Sequence, residues 1–296
     1  MNRQAQAYIY ASATVLFWAT VATAFKLTLR YMSPLQLLFY ASCASALVLF
    51  AVLAAQGKLP LLRRLTAGDL LRSAFLGFLN PFLYYAVLFE AYSLLPAQQA
   101  QPINMTWPIV LVLLSIPILG QKIRARSILA IAVSFLGVVV ISTKGDVPGF
   151  KVDSPAGVAL ALGSSVIWAF FWLLNVRDGR DEVVKLFSNF VFGCVFALGA
   201  LLSFSGFDTP RPEGLLGAAY IGCFEMGVAF VTWLKALTLS RTSAQVGNLI
   251  YISPFLSLVP VHFIAGEKIL PSSAAGLAFI VAGVLLQQCA SSARGR

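Results

Sequence analysis

The first feature of this sequence that could do chemistry is a run of side-chain amides inside an apolar stretch. Gln98, Gln99, Gln101 and Asn104 precede Trp107-Pro108 in a segment that is otherwise hydrophobic. Gln101, Asn104 and Pro108 are spaced i, i+3, i+7 and so share one helix face. A second stretch has the same plan, with Gln245 and Asn248 at i, i+3, then Tyr251 and Ser253-Pro254. Amides and indoles hydrogen-bond and stack, which is the chemistry of reversible binding. In lipid an amide has no water partner and must face protein or an aqueous cavity. Interhelical bonding of this kind contributes only about 0.6 kcal/mol on average. Five amide or indole groups on one helix exceed what packing needs, so they are expected to line a cavity. Pro108 and Pro254 each remove a backbone hydrogen bond and are hinge candidates, with a static kink as the alternative.

Aromatic residues add a second element. Trp18 and Trp168 lie near the centres of their apolar runs, and Trp172 and Asn175 continue the Trp168 face. Asn80 and Tyr84 share a face of another run, with Tyr85 and Trp233 close by. Membrane-belt aromatics sit at span ends, so Trp18, Trp107 and Trp168 are expected at the cavity instead. There they would stack on planar or cationic molecules.

Ionisable groups within the runs are few. Glu225 falls near the middle of one, where an acid costs about 2.5–3.5 kcal/mol on insertion scales. It is a candidate proton or amine site; the alternative is a neutral glutamate bonded to another helix. Lys235 is ten residues on, about 15 Å along a helix, and cannot pair with it there. Lys26 and Lys235 lie near span ends and can snorkel, and Glu90 is read as interfacial. His262 is the only histidine, so it cannot make a metal site alone. Cys43, Cys194, Cys223 and Cys289 sit in apolar runs without a CxxC pair and are read as small core residues. No metal and no cofactor are expected.

The elements that must position these groups follow from composition. Of 296 residues, 59% are hydrophobic and only 11% charged, against roughly a quarter charged in soluble domains. A soluble fold and a disordered chain are both excluded. The net charge of +10 would suggest nucleic acid in a soluble protein. Here the basic residues occupy short gaps between apolar runs, where they set membrane topology. No nucleic-acid partner is expected; the partners are the lipid bilayer and a small-molecule substrate, and a single copy is expected to suffice.

A membrane helix needs about 20 mostly apolar residues. Ten stretches qualify: Ala7–Leu29, Pro34–Ala55, Ser73–Ser93, Ala97–Leu119, Ser127–Thr143, Ser154–Asn175, Leu186–Ser205, Leu215–Leu239, Ser243–Ala265 and Pro271–Ala290. None alternates as a barrel strand would. The expected fold is an all-α integral membrane protein of ten transmembrane helices. With the N-terminus cytoplasmic, 14 Lys and Arg fall on inside segments and 5 on outside ones. That split places both termini in the cytoplasm. The compact chain suits a bacterial inner membrane.

An internal repeat organises the ten runs. At a shift of 146 residues, Gly120-Gln-Lys-Ile123 falls on Gly266-Glu-Lys-Ile269, Gln99 on Gln245 and Pro108 on Pro254. At a shift of 150, Trp18-Ala19 falls on Trp168-Ala169. The expected domains are one five-helix unit over 1–150 and a second over 151–296. Five is odd, so the second unit enters the membrane inverted. Inverted repeats exchange conformations and open a central site to alternate sides.

With these motifs the chain resembles the drug/metabolite transporter superfamily, in its EamA family of ten-helix exporters. The resemblance rests on Leu16-Phe-Trp-Ala19, Leu94-Leu-Pro-Ala-Gln98, Met105-Thr-Trp-Pro108 and Gly120-Gln-Lys122. In the second half it rests on Tyr251-Ile-Ser-Pro-Phe-Leu-Ser257, Gly266-Glu-Lys268 and Gly276…Gly283. It implies a midplane substrate cavity between the two repeats. It also implies export of aromatic or other amino acids or of amine drugs.

An enzyme is not expected, because GxSxG, HExxH, GxGD and GxxxxGK[ST] motifs are all missing from the sequence. Lack of a P-loop leaves facilitated or ion-coupled transport. A channel, which needs a pore with charged or carbonyl rings, and a non-transporting receptor or scaffold are the alternatives. Asn80, Tyr84, Gln101, Asn104, Trp107, Trp168, Gln245, Asn248 and Tyr251 are expected to face one central space. Spans three, four, eight and nine should form most of its wall, with one and six closing it.

Overall fold

The structure is a computed structural model, and it describes residues 2–107, 109–110, 113–114, 125–148, 152–205, 209–240, 249 and 252–292. All regular structure among them is helical. Besides a single helical turn over Leu59–Leu62, the helices are α1 (Arg3–Thr28), α2 (Pro34–Ala55), α3 (Ala67–Leu94), α4 (Ala97–Asn104), α5 (Ala125–Ser142), α6 (Pro155–Val176) and α7 (Glu182–Phe204). Then come α8, which runs through Pro212–Tyr220, Ile221–Val228 and Ala229–Leu239, α9 (Ser253–Phe263) and α10 (Pro271–Ser292). Six of these (α1, α2, α3, α6, α7 and α8) are long and apolar enough to cross a membrane. Shorter apolar helices cover Leu129–Ser142, Ser253–Phe263 and Pro271–Leu286.

Local sequence explains where the helices start. Apolar runs become helices in lipid because only an internally bonded backbone is stable there. Ser33 and Gln36 cap α2 reciprocally, with Pro34 in its first turn. Thr66 and Asp69 do the same for α3. The Asp181 carboxylate accepts the N–H groups of Val183 and Val184 at the start of α7.

Two spans are interrupted. In α3 the turn Phe78–Leu83 is wide, and Asn80 leaves helical geometry altogether at φ −149°, ψ 120°. Pro81 follows and has no N–H to close the ladder. In α8 the turn Ile221–Val228 is wide as well and contains Glu225. Wide π-type turns inside helices are frequent at functional sites.

Small residues let the helices approach backbone to backbone. A Cβ added to Gly137 of α5 would lie 2.5 Å from the Gly276 carbonyl of α10, and one on Gly276 would lie 2.7 Å from the Gly137 carbonyl. Gly222 of α8 meets the Ala41 carbonyl of α2 in the same way, and Gly77 of α3 meets the Asn189 carbonyl of α7. Lipid tails are as apolar as leucine, so close packing of this kind supplies much of the helix association. Many large side chains left outside are apolar, among them Leu47, Phe135, Val195, Phe204 and Phe263. Such a surface fits a lipid environment.

Polar contacts concentrate at the two ends. At one, Arg180 holds Asp178 and donates to the Asp69 carbonyl and the Ser73 hydroxyl, joining the α6–α7 turn to α3. Lys58 pairs with Asp181 at 2.8 Å. At the other end the α9–α10 loop lies over the start of α4, with Arg30 donating to the Ala265 carbonyl.

Candidate functional site

The interruptions of α3 and α8 deliver polar groups to the interior. One turn beyond the break at Asn80, Tyr84 and Tyr85 point inward, both buried. Helix α4 is only eight residues long and ends at Asn104. The Asn104 amide donates to the Ser164 hydroxyl of α6 at 2.8 Å. Its carbonyl oxygen accepts from the Tyr84 hydroxyl at 3.4 Å. Thr106 and Ser165 make a parallel contact at 3.2 Å. Three helices thus meet through a hydrogen-bonded chain.

Beside that chain, Tyr85 donates to Glu225 Oε1 of α8 at 3.2 Å. Glu225 is buried, and its Oε2 has no partner among the described residues. Neither polar atom of the Asn80 amide has one, although the residue is buried. Buried side-chain polar groups are nearly always paired, and leaving one unpaired costs about 1–3 kcal/mol.

Aromatic rings enclose the same region. Tyr84 and Trp168 lie 4.6 Å apart between centroids, and Trp168 meets Phe230 of α8 edge-on at 5.7 Å. Trp172 stacks on Phe230 at 6.3 Å with planes 13° apart. A second group joins α1 to α8, where Trp18 and Trp233 lie 5.6 Å apart. Trp107 is half-buried against both groups. Tyrosine and tryptophan combine an apolar face with a polar edge, which suits a molecule that is part ring and part charge.

The structure therefore brings together Tyr84, Asn104, Trp168 and Glu225. Gln101 turns to α1 and α9: its amide nitrogen reaches the Trp18 carbonyl at 3.5 Å and its oxygen accepts from Ser257. Pro254 sits in the first turn of α9, where its missing N–H removes no intrahelical bond. Pro108, Gln245, Asn248 and Tyr251 lie outside the described residues. Ser164 and Phe230 had not been singled out, although Ser164 stands four residues before Trp168 and shares its helix face. Lys26 does more than reach for the interface; its ammonium donates to the Tyr92 and Leu95 carbonyls at 2.8 and 2.9 Å. Among the described residues no group of three His, Cys, Asp or Glu could hold a metal. Cys43, Cys194 and Cys223 are free thiols.

The chain is similar to known proteins. The family model of the EamA-like transporter family matches residues 5–143 and 155–287. An uncharacterized transporter of Clostridium kluyveri is 26% identical over 294 residues, covering 94% of this chain and 92% of that protein. An aromatic amino acid exporter, YddG, of Ancylobacter novellus is 28% identical over 182 residues, covering 60% of this chain and 61% of that protein. A solved crystal structure shares the fold at a TM-score of 0.66 and 20% identity, covering 95% of this chain and 96% of the other.

Proposed function

The chain belongs to the EamA-like transporter family, and on that premise we propose that it is a secondary transporter exporting amino acids, aromatic or otherwise neutral, or related small metabolites and amine drugs. The observation that carries this reading is the interior where α3, α4, α6 and α8 meet. Glu225 keeps one oxygen unpartnered there, next to a wall of Tyr84, Trp168 and Phe230. An ammonium group, or a proton, satisfies the free oxygen, and a ring stacks on the wall. The similarity to a protein named as an aromatic amino acid exporter supports the same class of cargo.

The mechanism proposed is alternating access. Two five-helix halves, 1–150 and 151–296, form ten spans of opposite orientation and exchange conformations around the centre. The wide turns of α3 and α8, the third span of each half, support this pairing. Trp18, Asn80, Gln101 and Trp107 complete the cavity with Gln245, Asn248 and Tyr251, and Pro108 acts as the hinge. The membrane in this proposal is a bacterial inner membrane, with both termini on the cytoplasmic side, an orientation that the Lys and Arg bias supports. Reconstitution into proteoliposomes with a panel of labelled amino acids tests the reading. Flux of at least one aromatic or neutral amino acid above that of empty liposomes is expected. If no member of the panel or of a small set of cationic amines crosses faster than in empty liposomes, the transport assignment fails.

A further inference from the structure

The start of α4 has an unusual cap. Pro96, the residue before the helix, offers no side-chain acceptor for the N–H groups of the first turn, which have no partner within a helix. Glu267 supplies one from the α9–α10 loop, 170 residues away. Its Oε1 accepts from the Ala97 N–H at 2.9 Å and its Oε2 from the Gln98 N–H at 3.3 Å. The Gln98 side chain answers from the other side. It donates to the Lys268 carbonyl at 2.7 Å and accepts from the Leu270 N–H at 2.9 Å. These four bonds fasten one loop to one helix end. A cleft of about 400 Å³ runs beside them, lined by Lys26, Ser93, Pro96, Gln98, Glu267 and Lys268.

The other end of α4 is Asn104, which holds Tyr84 and Ser164 in the interior. A helix of eight residues is about 12 Å long, so the loop and the site sit on opposite ends of one short lever. We propose that the Glu267–Gln98 pairing is the latch that closes this mouth of the transport path, and that it must release for cargo to leave there. This inference rests on the transport reading above. The latch is charge-assisted, and such bonds are roughly twice as strong as neutral ones. By the Lys and Arg bias the mouth guarded by Glu267 is the outer one.

The test uses the full chain in proteoliposomes, with the four native cysteines replaced and Ser257→Cys introduced as a reporter beneath the loop. Ser257 is buried and contacts Gln101. Its labelling by a membrane-impermeant maleimide reads opening of this mouth and needs no transported substrate. Glu267→Ala and Gln98→Ala are each expected to raise the labelling rate about tenfold, the effect of losing hydrogen bonds to a charged or buried group. Glu90→Ala, an exposed glutamate outside the latch, should label at the parent rate. Parent-rate labelling in both latch variants overturns the proposal. Should either variant fold poorly, Ser93→Cys with Lys268→Cys, bridged by a short bis-maleimide, closes the cleft from outside. Flux must then stop, and undiminished flux overturns the latch. A chain that labels as expected but moves no substrate instead refutes the transport reading.

Discussion

Tyr85 donates its phenolic proton to Glu225 Oε1 across 3.2 Å, and so joins two interrupted helices whose residues lie 140 apart in sequence. The bond explains how an acid is tolerated deep in an apolar bundle: one oxygen has a partner inside the protein. The other has none among the described residues, which leaves it open to a ligand or a proton.

Substitution at this pair separates its two roles. Glu225→Gln keeps the shape and an acceptor for Tyr85 but cannot titrate. Substrate flux in the variant is expected to lose the pH dependence of the parent and to show weaker apparent affinity for amine-bearing cargo. Coincident pH profiles and affinities at equal folded yield would make Glu225 structural. Tyr85→Phe removes the bond and should cost about 1–3 kcal/mol of stability, read as a lower melting temperature in detergent.

The Tyr84–Trp168 pair is expected to select for rings. Trp168→Ala should weaken the apparent affinity for an aromatic amino acid by about 3–10-fold, corresponding to about 0.5–1.5 kcal/mol for an aromatic contact. Trp168→Phe should retain most of it, and affinity for a small aliphatic amino acid should change little. Equal losses for both cargo classes would place Trp168 in packing alone.

Helix packing gives a stability prediction independent of transport. A Cβ at Gly276 would lie 2.4 Å from Ile141 Cγ1 and 2.7 Å from the Gly137 carbonyl. Gly276→Ala is therefore expected to destabilise by about 1–3 kcal/mol through overpacking. Gly163→Ala, where a Cβ meets nothing within 4 Å, serves as the control and should leave the melting temperature unchanged or slightly raised.

The polar end opposite the latch should be acid-sensitive. Burial pushes the Asp178 carboxyl up, but the Arg180 guanidinium and the Lys185 charge outweigh burial and hold it below its ordinary value. A carboxyl with a depressed folded pKa stabilises above its unfolded value of about 3.9, and that stability is lost as pH falls through the folded value. Melting temperature should drop below about pH 4 in the parent, and Asp178→Asn should start lower and respond less. A variant that melts with the parent at neutral pH would show that the Asp178–Arg180 ion pair contributes nothing to stability.

The sequence by itself determined that the chain is helical and built for lipid. Apolar runs of membrane length leave the backbone no other way to satisfy its hydrogen bonds, and caps such as Ser33 with Gln36 mark a helix start within a few residues. It also pointed to Asn80, Tyr84, Asn104, Trp168 and Glu225 as inward-facing, because polar side chains and central tryptophans are misplaced anywhere else. Only the tertiary structure decided which of them meet. Hydropathy and spacing do not encode how far a helix is rotated or tilted against its neighbours, and that rotation sends Gln101 to Ser257 rather than to Tyr84. The same holds for Glu267, which looks like an ordinary loop acid until folding brings it 170 residues back to the bare end of α4. The driving force there is the unpaired N–H of a first helical turn, and no local pattern names its distant acceptor.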